Sequence, residues 1–199
     1  MFVDLEGHGR EDILEDIDVG RTVGWFTSMY PVMLTLDHPD DLSYQIKTIK
    51  ETLRKVPNKG IGFGILKYLT GREQTQDIPF DGKPQLVFNY LGQVDENVEQ
   101  LSMDIAKESA GYTLSPQGIR EHDLVVTAIV IDKQLRASVS YNNQQFKKET
   151  METLVKAFED HLNAIIDHCL LQDNKEQVTP SDLGFKGLSI DQLENFFDS

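Results

Sequence analysis

Cysteine and long apolar stretches are scarce in this chain of 199 residues. The single cysteine, Cys169, excludes a framework of internal disulfides and a zinc site built from cysteines. No apolar run approaches about 18 residues, the length that a membrane-spanning helix needs. The first residues also lack the basic and apolar segments of a secretory signal. We therefore expect a cytoplasmic protein that does not enter the membrane.

Basic residues are also few. The chain has 19 lysines and arginines against 33 aspartates and glutamates, for a formal net charge of -14. Non-specific nucleic-acid binding needs clustered cations that contact phosphates, and attachment to an anionic lipid surface has the same requirement. The charge therefore argues against both functions.

One segment departs from this acidic balance. Between Lys47 and Arg72 the chain carries seven bases and one acid, Glu51. Such a local concentration of positive charge predicts a docking patch for an acidic partner or for a phosphate. A solvated helix face is the alternative, and the sequence favours neither. The candidate docking residues are Lys47, Lys50, Arg54 and Lys55.

Strand-like and helix-like patterns are mixed along the chain. Alternating or β-branched runs predict strands over residues 2–5, 22–36, 84–92, 124–132 and 135–142. Pro31 bends the second of these strands or places it at a sheet edge, and a Lys-Gln turn joins the last two. Apolar residues at helical spacing predict helices over residues 40–55, 65–70 and 151–169, with Cys169 in the core. We expect a flexible loop over residues 60–64 and a long connection over residues 93–122. The fold class is α/β, with helices packed on a mixed β-sheet.

The most promising chemistry lies in Glu6-Gly-His-Gly-Arg10, directly after the first predicted strand. A carboxylate at a strand end, next to glycines that permit a sharp turn, is suited to general acid–base catalysis. We interpret His8 as a residue that orders the turn, and Arg10 as one that holds the loop through a pair with a carboxylate. The residues alone favour a polar surface turn with an ion pair over a catalytic loop, and they indicate no metal site.

Four segments of the chain, taken together, resemble a known family. In order, they are similar to the later core motifs of epimerization domains from nonribosomal peptide synthetases. The resemblance extends over essentially the whole chain and includes the tail segment Thr179-Pro-Ser-Asp182. The four segments are Glu6-Gly-His-Gly-Arg-Glu11, Arg21-Thr-Val-Gly-Trp-Phe-Thr-Ser-Met-Tyr-Pro-Val32, Pro57-Asn-Lys-Gly-Ile-Gly-Phe-Gly64 and Phe88-Asn-Tyr-Leu-Gly92.

The resemblance implies a fold of two chloramphenicol-acetyltransferase-like halves, each a two-layer α/β sandwich, with the active site in a tunnel between them. In this family the first half carries a His-His-x-x-x-Asp-Gly motif, and no His-His pair occurs in this sequence. We therefore expect residues 1–199 to be the C-terminal half of an epimerization domain, without its N-terminal half. Residues 172–199 would form a C-terminal tail with a short helix. The isolated chain is predicted to be inactive.

The resemblance also implies a reaction and its site residues. The family inverts the α-carbon of an aminoacyl or peptidyl thioester from L to D. A peptidyl carrier protein holds this thioester on its 4'-phosphopantetheine arm, and no metal takes part. By the resemblance, Glu6 is one proton-transfer group, the absent half supplies the other, and Tyr90 donates to the enolate or positions the thioester. Asn89, His8 and Arg10 would line the site or order its loops. Trp25 is either tunnel wall or core, and we favour core.

Two alternatives remain open at this point. A condensation domain forms peptide bonds on the same scaffold, and a non-catalytic module would only dock the carrier protein. The expected partners are the carrier domain, the absent half and adjacent synthetase domains.

Overall fold

The computed structural model describes residues 1–11, 16–93, 117–172, 177–184 and 187–197, together with residues 108, 109, 111 and 115. In this part of the chain five strands form one sheet: β1 (Phe2–Gly7), β2 (Ser28–Met33), β3 (Leu86–Gln93), β4 (Leu124–Ile131) and β5 (Gln134–Tyr141). Their order is β2-β1-β3-β4-β5. The three central strands run parallel, and both edge strands are antiparallel to their neighbours. The predicted mixed sheet is confirmed.

Helices follow β2 and β5 and occupy the C-terminal tail. Short turns of 3-10 helix cover Pro57–Gly60 and Pro180–Leu183, and a π-helical turn covers Ile65–Leu69. None of the described helices is long and apolar enough to cross a membrane. The α-helices are α1 (Leu42–Arg54), α2 (Ile61–Gly64), α3 (Arg72–Thr75), α4 (Lys148–Leu171) and α5 (Ile190–Phe197).

The core lies on the three central strands. Val3 of β1, Val87 of β3 and Val126 and Ala128 of β4 are all buried. Val3 and Val87 lie on opposite faces of the sheet, because side chains alternate along a strand and Val87 is opposite Asp4 in the register. The central strands therefore bury side chains on both faces, as parallel strands commonly do. This burial fixes β1 and β3, the strands that carry Glu6, Asn89 and Tyr90.

The second strand is shorter than predicted. β2 begins at Ser28 instead of residue 22, and the segment before it is not part of the sheet. Pro31 lies in this strand at the edge of the sheet, as its lack of an N–H predicts.

The segment after α1 differs from its prediction. α1 begins where Asp41 Oδ1 accepts a 3.0 Å hydrogen bond from the backbone N–H of Tyr44, and it ends before Pro57, as expected. The predicted flexible loop over residues 60–64 is instead helical, because α2 covers Ile61–Gly64. The chain enters α2 through three left-handed residues, Asn58, Lys59 and Gly60, with φ of 47°, 49° and 86°. A Cβ at Gly60 would lie 2.0 Å from the Tyr30 ring, so glycine is required there.

Two further details correct the sequence interpretation. The β4–β5 hairpin turns at Asp132 and Lys133, whose φ values of 53° and 58° are typical of a type I′ turn, one residue before the predicted Lys-Gln turn. Cys169 is exposed and does not belong to the core. The reason is that α4 buries Met151 near its start, while Phe158 and Ile166 farther along remain 41% and 46% exposed. The predicted connection over residues 93–122 lies largely outside the described residues.

Candidate active site

Glu6 lies at the edge of the sheet where the parallel strands β1 and β3 end. In the register of these strands it is directly opposite Asn89. The two side chains share one face of the sheet, and Tyr90, the next residue of β3, starts from the other face. The carboxyl ends of parallel strands are a common position for ligand sites, because several loops leave the sheet at the same edge.

A cleft of about 650 Å³ opens at this edge. Apolar groups of Val23, Phe26 and Leu91 form part of its wall. Tyr90 is 51% exposed, so its phenol is accessible from the cleft. The pairing of β1 with β3 thus brings together residues that are more than 80 positions apart in the sequence. The structure places all six predicted site residues in the lining of this cleft: Glu6, His8, Arg10, Trp25, Asn89 and Tyr90.

Arg10 connects the Glu6 loop to the segment before β2. Its guanidinium donates hydrogen bonds to the backbone oxygens of Val19, at 2.5 Å, and Thr22, at 2.9 Å. It also lies 4.2 Å from the centre of the Phe26 ring, a cation–π contact. The carboxylate partner predicted for Arg10 was therefore wrong, since its hydrogen-bond acceptors are carbonyl groups. These contacts hold one wall of the cleft against the loop that carries Glu6.

Gly9 makes this close approach possible. Its φ is +68°, and a Cβ at this position would lie 1.5 Å from the backbone oxygen of Phe26. Any side chain at residue 9 would therefore push the segment that contains Phe26 away from the loop.

His8 contacts two residues of its own turn, and its role in ordering this turn remains a prediction. Its Nδ1 accepts a 3.1 Å hydrogen bond from the backbone N–H of Arg10, and its Nε2 lies 3.2 Å from Glu11. Glu11 also pairs with Lys59 at 2.5 Å. Burial raises the pKa of Tyr30, and the negative charge of Glu11 adds to this rise. The described residues contain no group of three or more histidine, cysteine or acidic side chains placed to hold a metal ion.

Trp25 does not belong to the core, which corrects the preferred interpretation of its role. Its side chain is 89% exposed and borders the cleft. Residues 22–27 lie outside β2, so the alternation that would bury a strand tryptophan does not apply. Arg10 contacts the ring of the neighbouring Phe26, whereas the Trp25 side chain remains exposed to solvent.

The basic face of α1 has partners within the chain. Lys47 pairs with Glu194 of α5 at 2.7 Å, and Lys50 and Arg54 each approach Asp182 to 2.5 Å. Hydrogen bonds from Lys50, the largest cause, and from Arg54 hold the pKa of Asp182 well below its usual range. Sequence reasoning missed this contact between α1 and the tail. The available signal was the Thr179-Pro-Ser-Asp182 segment, where Thr179 and Asp182 form a capping box. A docking role for Lys47, Lys50, Arg54 and Lys55 remains a prediction, and an acidic partner would have to compete with Asp182 and Glu194.

Glu51 lies beneath these cations, and its side chain is turned towards the tail. It is 6% exposed and accepts hydrogen bonds from the backbone N–H of Ser181, at 3.1 Å, and from the Ser181 hydroxyl, at 2.5 Å. Burial by itself would raise the pKa of Glu51, but hydrogen bonds from Ser181 and Thr179 outweigh it and lower the pKa. Thr179 is 1% exposed. The C-terminal tail is therefore fastened to α1 by a buried polar cluster.

Comparison with known proteins identifies the family. The condensation domain family model matches residues 1–183. The chain belongs to the condensation domain family. It is 45% identical over its whole length to surfactin synthase subunit 1 of Bacillus subtilis (strain 168), and 44% identical to gramicidin S synthase 1 of Brevibacillus brevis. The chain spans 6% and 19% of the length of these two relatives.

A solved structure supports the same assignment at the level of the fold. The chain is similar to the epimerization domain from the third module of tyrocidine synthetase B, with a TM-score of 0.78 and 40% sequence identity. The match covers 85% of this chain and 37% of that domain. This condensation-family domain of the nonribosomal peptide synthetase type therefore has the chloramphenicol-acetyltransferase-like fold that the motifs predicted.

Proposed function

We propose that residues 1–199 form the C-terminal half of an epimerization domain, which inverts the α-carbon of a carrier-bound aminoacyl or peptidyl thioester from L to D. The observation that carries the proposal is the position of Glu6, which lies in a cleft beside Asn89 and Tyr90. The similarity to a solved epimerization domain supports it. The proposal thereby selects one reaction among those of the condensation family.

The chemistry requires two proton-transfer groups on opposite faces of the α-carbon. One group removes the α-proton, and the other returns a proton from the far side. Glu6 is one of these groups, and a histidine of the N-terminal half is the other. The thioester carbonyl takes up the charge as an enolate, whose oxygen needs hydrogen-bond donors. The Tyr90 hydroxyl and the Asn89 amide are the donors that this half of the cleft offers.

Arg10, His8 and Trp25 act in this proposal without exchanging protons with the substrate. Arg10 holds the cleft wall through the carbonyls of Val19 and Thr22, and His8 braces the Glu6 loop through Glu11. Trp25 covers one side of the thioester and limits the access of water, which would compete for the reactive carbanion.

The proposed partners follow from the carrier-bound substrate and from the fraction of the solved epimerization domain that this chain matches. The thioester arrives on the 4'-phosphopantetheine arm of a peptidyl carrier domain, within a synthetase that holds further domains. The N-terminal half of the domain closes the tunnel. Support for this half comes from the solved neighbour, of which the chain matches 37%.

The deciding experiment uses the two-half domain and a phosphopantetheinylated carrier loaded with an L-amino acid. In deuterated water, epimerization exchanges the α-proton and yields D-product. Glu6→Gln keeps the shape of the side chain but removes its acid–base function, so activity should fall by roughly 100-fold or more. His161→Gln, on the exposed surface of α4, serves as a control.

Other outcomes assign the chain differently. Peptide-bond formation with a second loaded carrier, without exchange of the α-proton, would identify a condensation domain. Carrier binding without any turnover would identify a docking module. Normal exchange in the Glu6→Gln variant would reject the role of Glu6 while leaving the reaction itself intact.

A further inference from the structure

The π-helical turn Ile65–Leu69 presents an apolar surface to solvent. Ile65 and Leu66 are 49% and 42% exposed, and Tyr68 and Leu69 are 74% and 80% exposed. Lys67 lies in the middle of this turn, with its ammonium 5.5 Å and 5.3 Å from the rings of Phe63 and Tyr68. Apolar surface of this kind, concentrated at one place, marks interaction sites more often than scattered exposed residues do. These five residues are named the Ile65–Leu69 patch.

The chain segment that contains the patch carries positive charge. From residue 52 to residue 72 the sequence contains five bases and no acid, although the whole chain has a formal charge of -14. Arg54 and Lys59 are paired with Asp182 and Glu11. Within the described residues, the other three bases form no ion pair with a carboxylate; they are Lys55, Lys67 and Arg72. A partner that combines apolar residues with carboxylates would be complementary to this surface.

The patch is attached to the candidate active site through a short and well-defined connection. The backbone oxygen of Lys59 lies 3.9 Å from the position that a Cβ of Gly7 would occupy, next to Glu6. α2 then packs against β2, the edge strand beside β1. From Gly60 to Leu69 the helical chain advances at most about 14 Å, at 1.5 Å per residue. The patch is therefore close to the cleft without lining it.

This connection is also stiff. Three successive left-handed residues lead into α2, and non-glycine residues adopt that conformation only where their surroundings enforce it. Phe63 stacks edge-to-face on Phe80 with ring centres 5.8 Å apart, which fixes the base of the patch. An exposed surface that is held rigidly loses little conformational entropy when a partner binds.

We propose that the Ile65–Leu69 patch docks the carrier domain, through a carrier surface that combines apolar side chains with carboxylates. The inference rests on the proposed function, because a substrate held on an arm requires the carrier to dock near Glu6. It replaces the α1 cations as the main docking surface, since Lys47, Lys50 and Arg54 already bind the tail. Lys67 supplies the charge and Leu69 the apolar contact.

The test measures the affinity of the two-half domain for a phosphopantetheinylated carrier by calorimetry at several salt concentrations. Leu69→Glu should weaken binding by about tenfold or more, as expected for a residue central to an interface. Lys67→Glu should weaken binding and flatten its salt dependence. Matched controls are Leu171→Glu and Lys148→Glu, which change equally exposed residues of α4 and should leave affinity within about twofold.

A second measurement separates docking from chemistry. Turnover is compared for the carrier-bound amino acid and for the same amino acid on free pantetheine, which needs no docking. The ratio of the two should fall in both patch variants. If neither substrate is inverted by the parent domain, the proposed reaction fails, but the affinities still test docking. Unchanged affinity in both patch variants overturns the inference, and so does a loss of assembly between the two halves, which would assign the patch to their interface.

Discussion

The hydroxyl of Ser181 offers the sharpest test of how the tail is fastened. It donates a 2.5 Å hydrogen bond to Glu51, which is 6% exposed, and accepts one from Arg54 at 2.9 Å. Ser181→Ala leaves the buried carboxylate with the Ser181 backbone N–H and with Thr179, but without this hydroxyl. A hydrogen bond to a charged group contributes about 1.5–3 kcal/mol. We expect this amount to be lost from the free energy of opening of the tail.

Amide hydrogen exchange followed by mass spectrometry reads this loss directly. Exchange in residues 177–184 should accelerate by roughly 10- to 150-fold, while β3 and β4 should be unaffected. Ser138→Ala, at an exposed position of β5, is the matched control. Combined with Glu51→Gln, the serine variant should show a coupling energy of about 0.5–3 kcal/mol. A change in the tail below about 0.5 kcal/mol, equal to that of the control, would refute the reasoning.

Three further predictions follow from the same contacts. Gly9→Ala should lower the free energy of unfolding by about 1–3 kcal/mol, because its Cβ would collide with the Phe26 carbonyl in the cleft loop. Urea unfolding measures this loss, and Gly62→Ala, where a Cβ meets no atom within 4 Å, is the control. Acid should loosen the tail, because the lowered pKa values of Glu51 and Asp182 give stability that is complete above their ordinary values of 4.5 and 3.8 and is lost as the pH falls further. Protection factors in the tail, which take account of the slower intrinsic exchange of amides in acid, should therefore be lower at pH 3 than at pH 6, and Glu51→Gln should reduce the difference. Lys133→Gly should stabilise the hairpin by about 1 kcal/mol, because glycine tolerates the φ of 58°; an unchanged or lower melting temperature would contradict this.

Local patterns predicted the central part of the fold well. β1, β3 and α1 lie where their periodicity indicates, because each carries an apolar set that the sheet or its neighbours bury. The π-helical turn after Gly64 also lies near a predicted helix. The helix α2 was missed because three glycines in five residues indicate flexibility, whereas one of them, Gly60, is there to accommodate the Tyr30 ring. Contacts of that kind join distant segments and leave no local pattern.

The candidate site also combines features that have a local sequence pattern with contacts between distant segments that have none. The position of a carboxylate at a strand end made Glu6 a candidate from its local sequence, and the resemblance added Tyr90; both line the cleft, and their roles remain predictions. The exposure of Trp25 depends on Arg10 binding the segment before β2, and the partners of Lys50 and Arg54 are about 130 residues away. Charge counting found the basic segment but could not show that its neutralising acids lie in the tail.

Pro31 has a consequence for how this sheet behaves when many copies of the chain are present at once. β2 is an edge strand, and an unpaired edge can recruit the same edge of another molecule into a continuous sheet. Pro31 pairs with Asp4 of β1 and has no N–H to donate to that strand. In a regular antiparallel ladder its nitrogen therefore points away from β1, towards the open edge of the sheet. A neighbouring molecule that aligned with this edge would therefore meet a ring where it needs a donor, and fibril-like growth from β2 would stop at that residue.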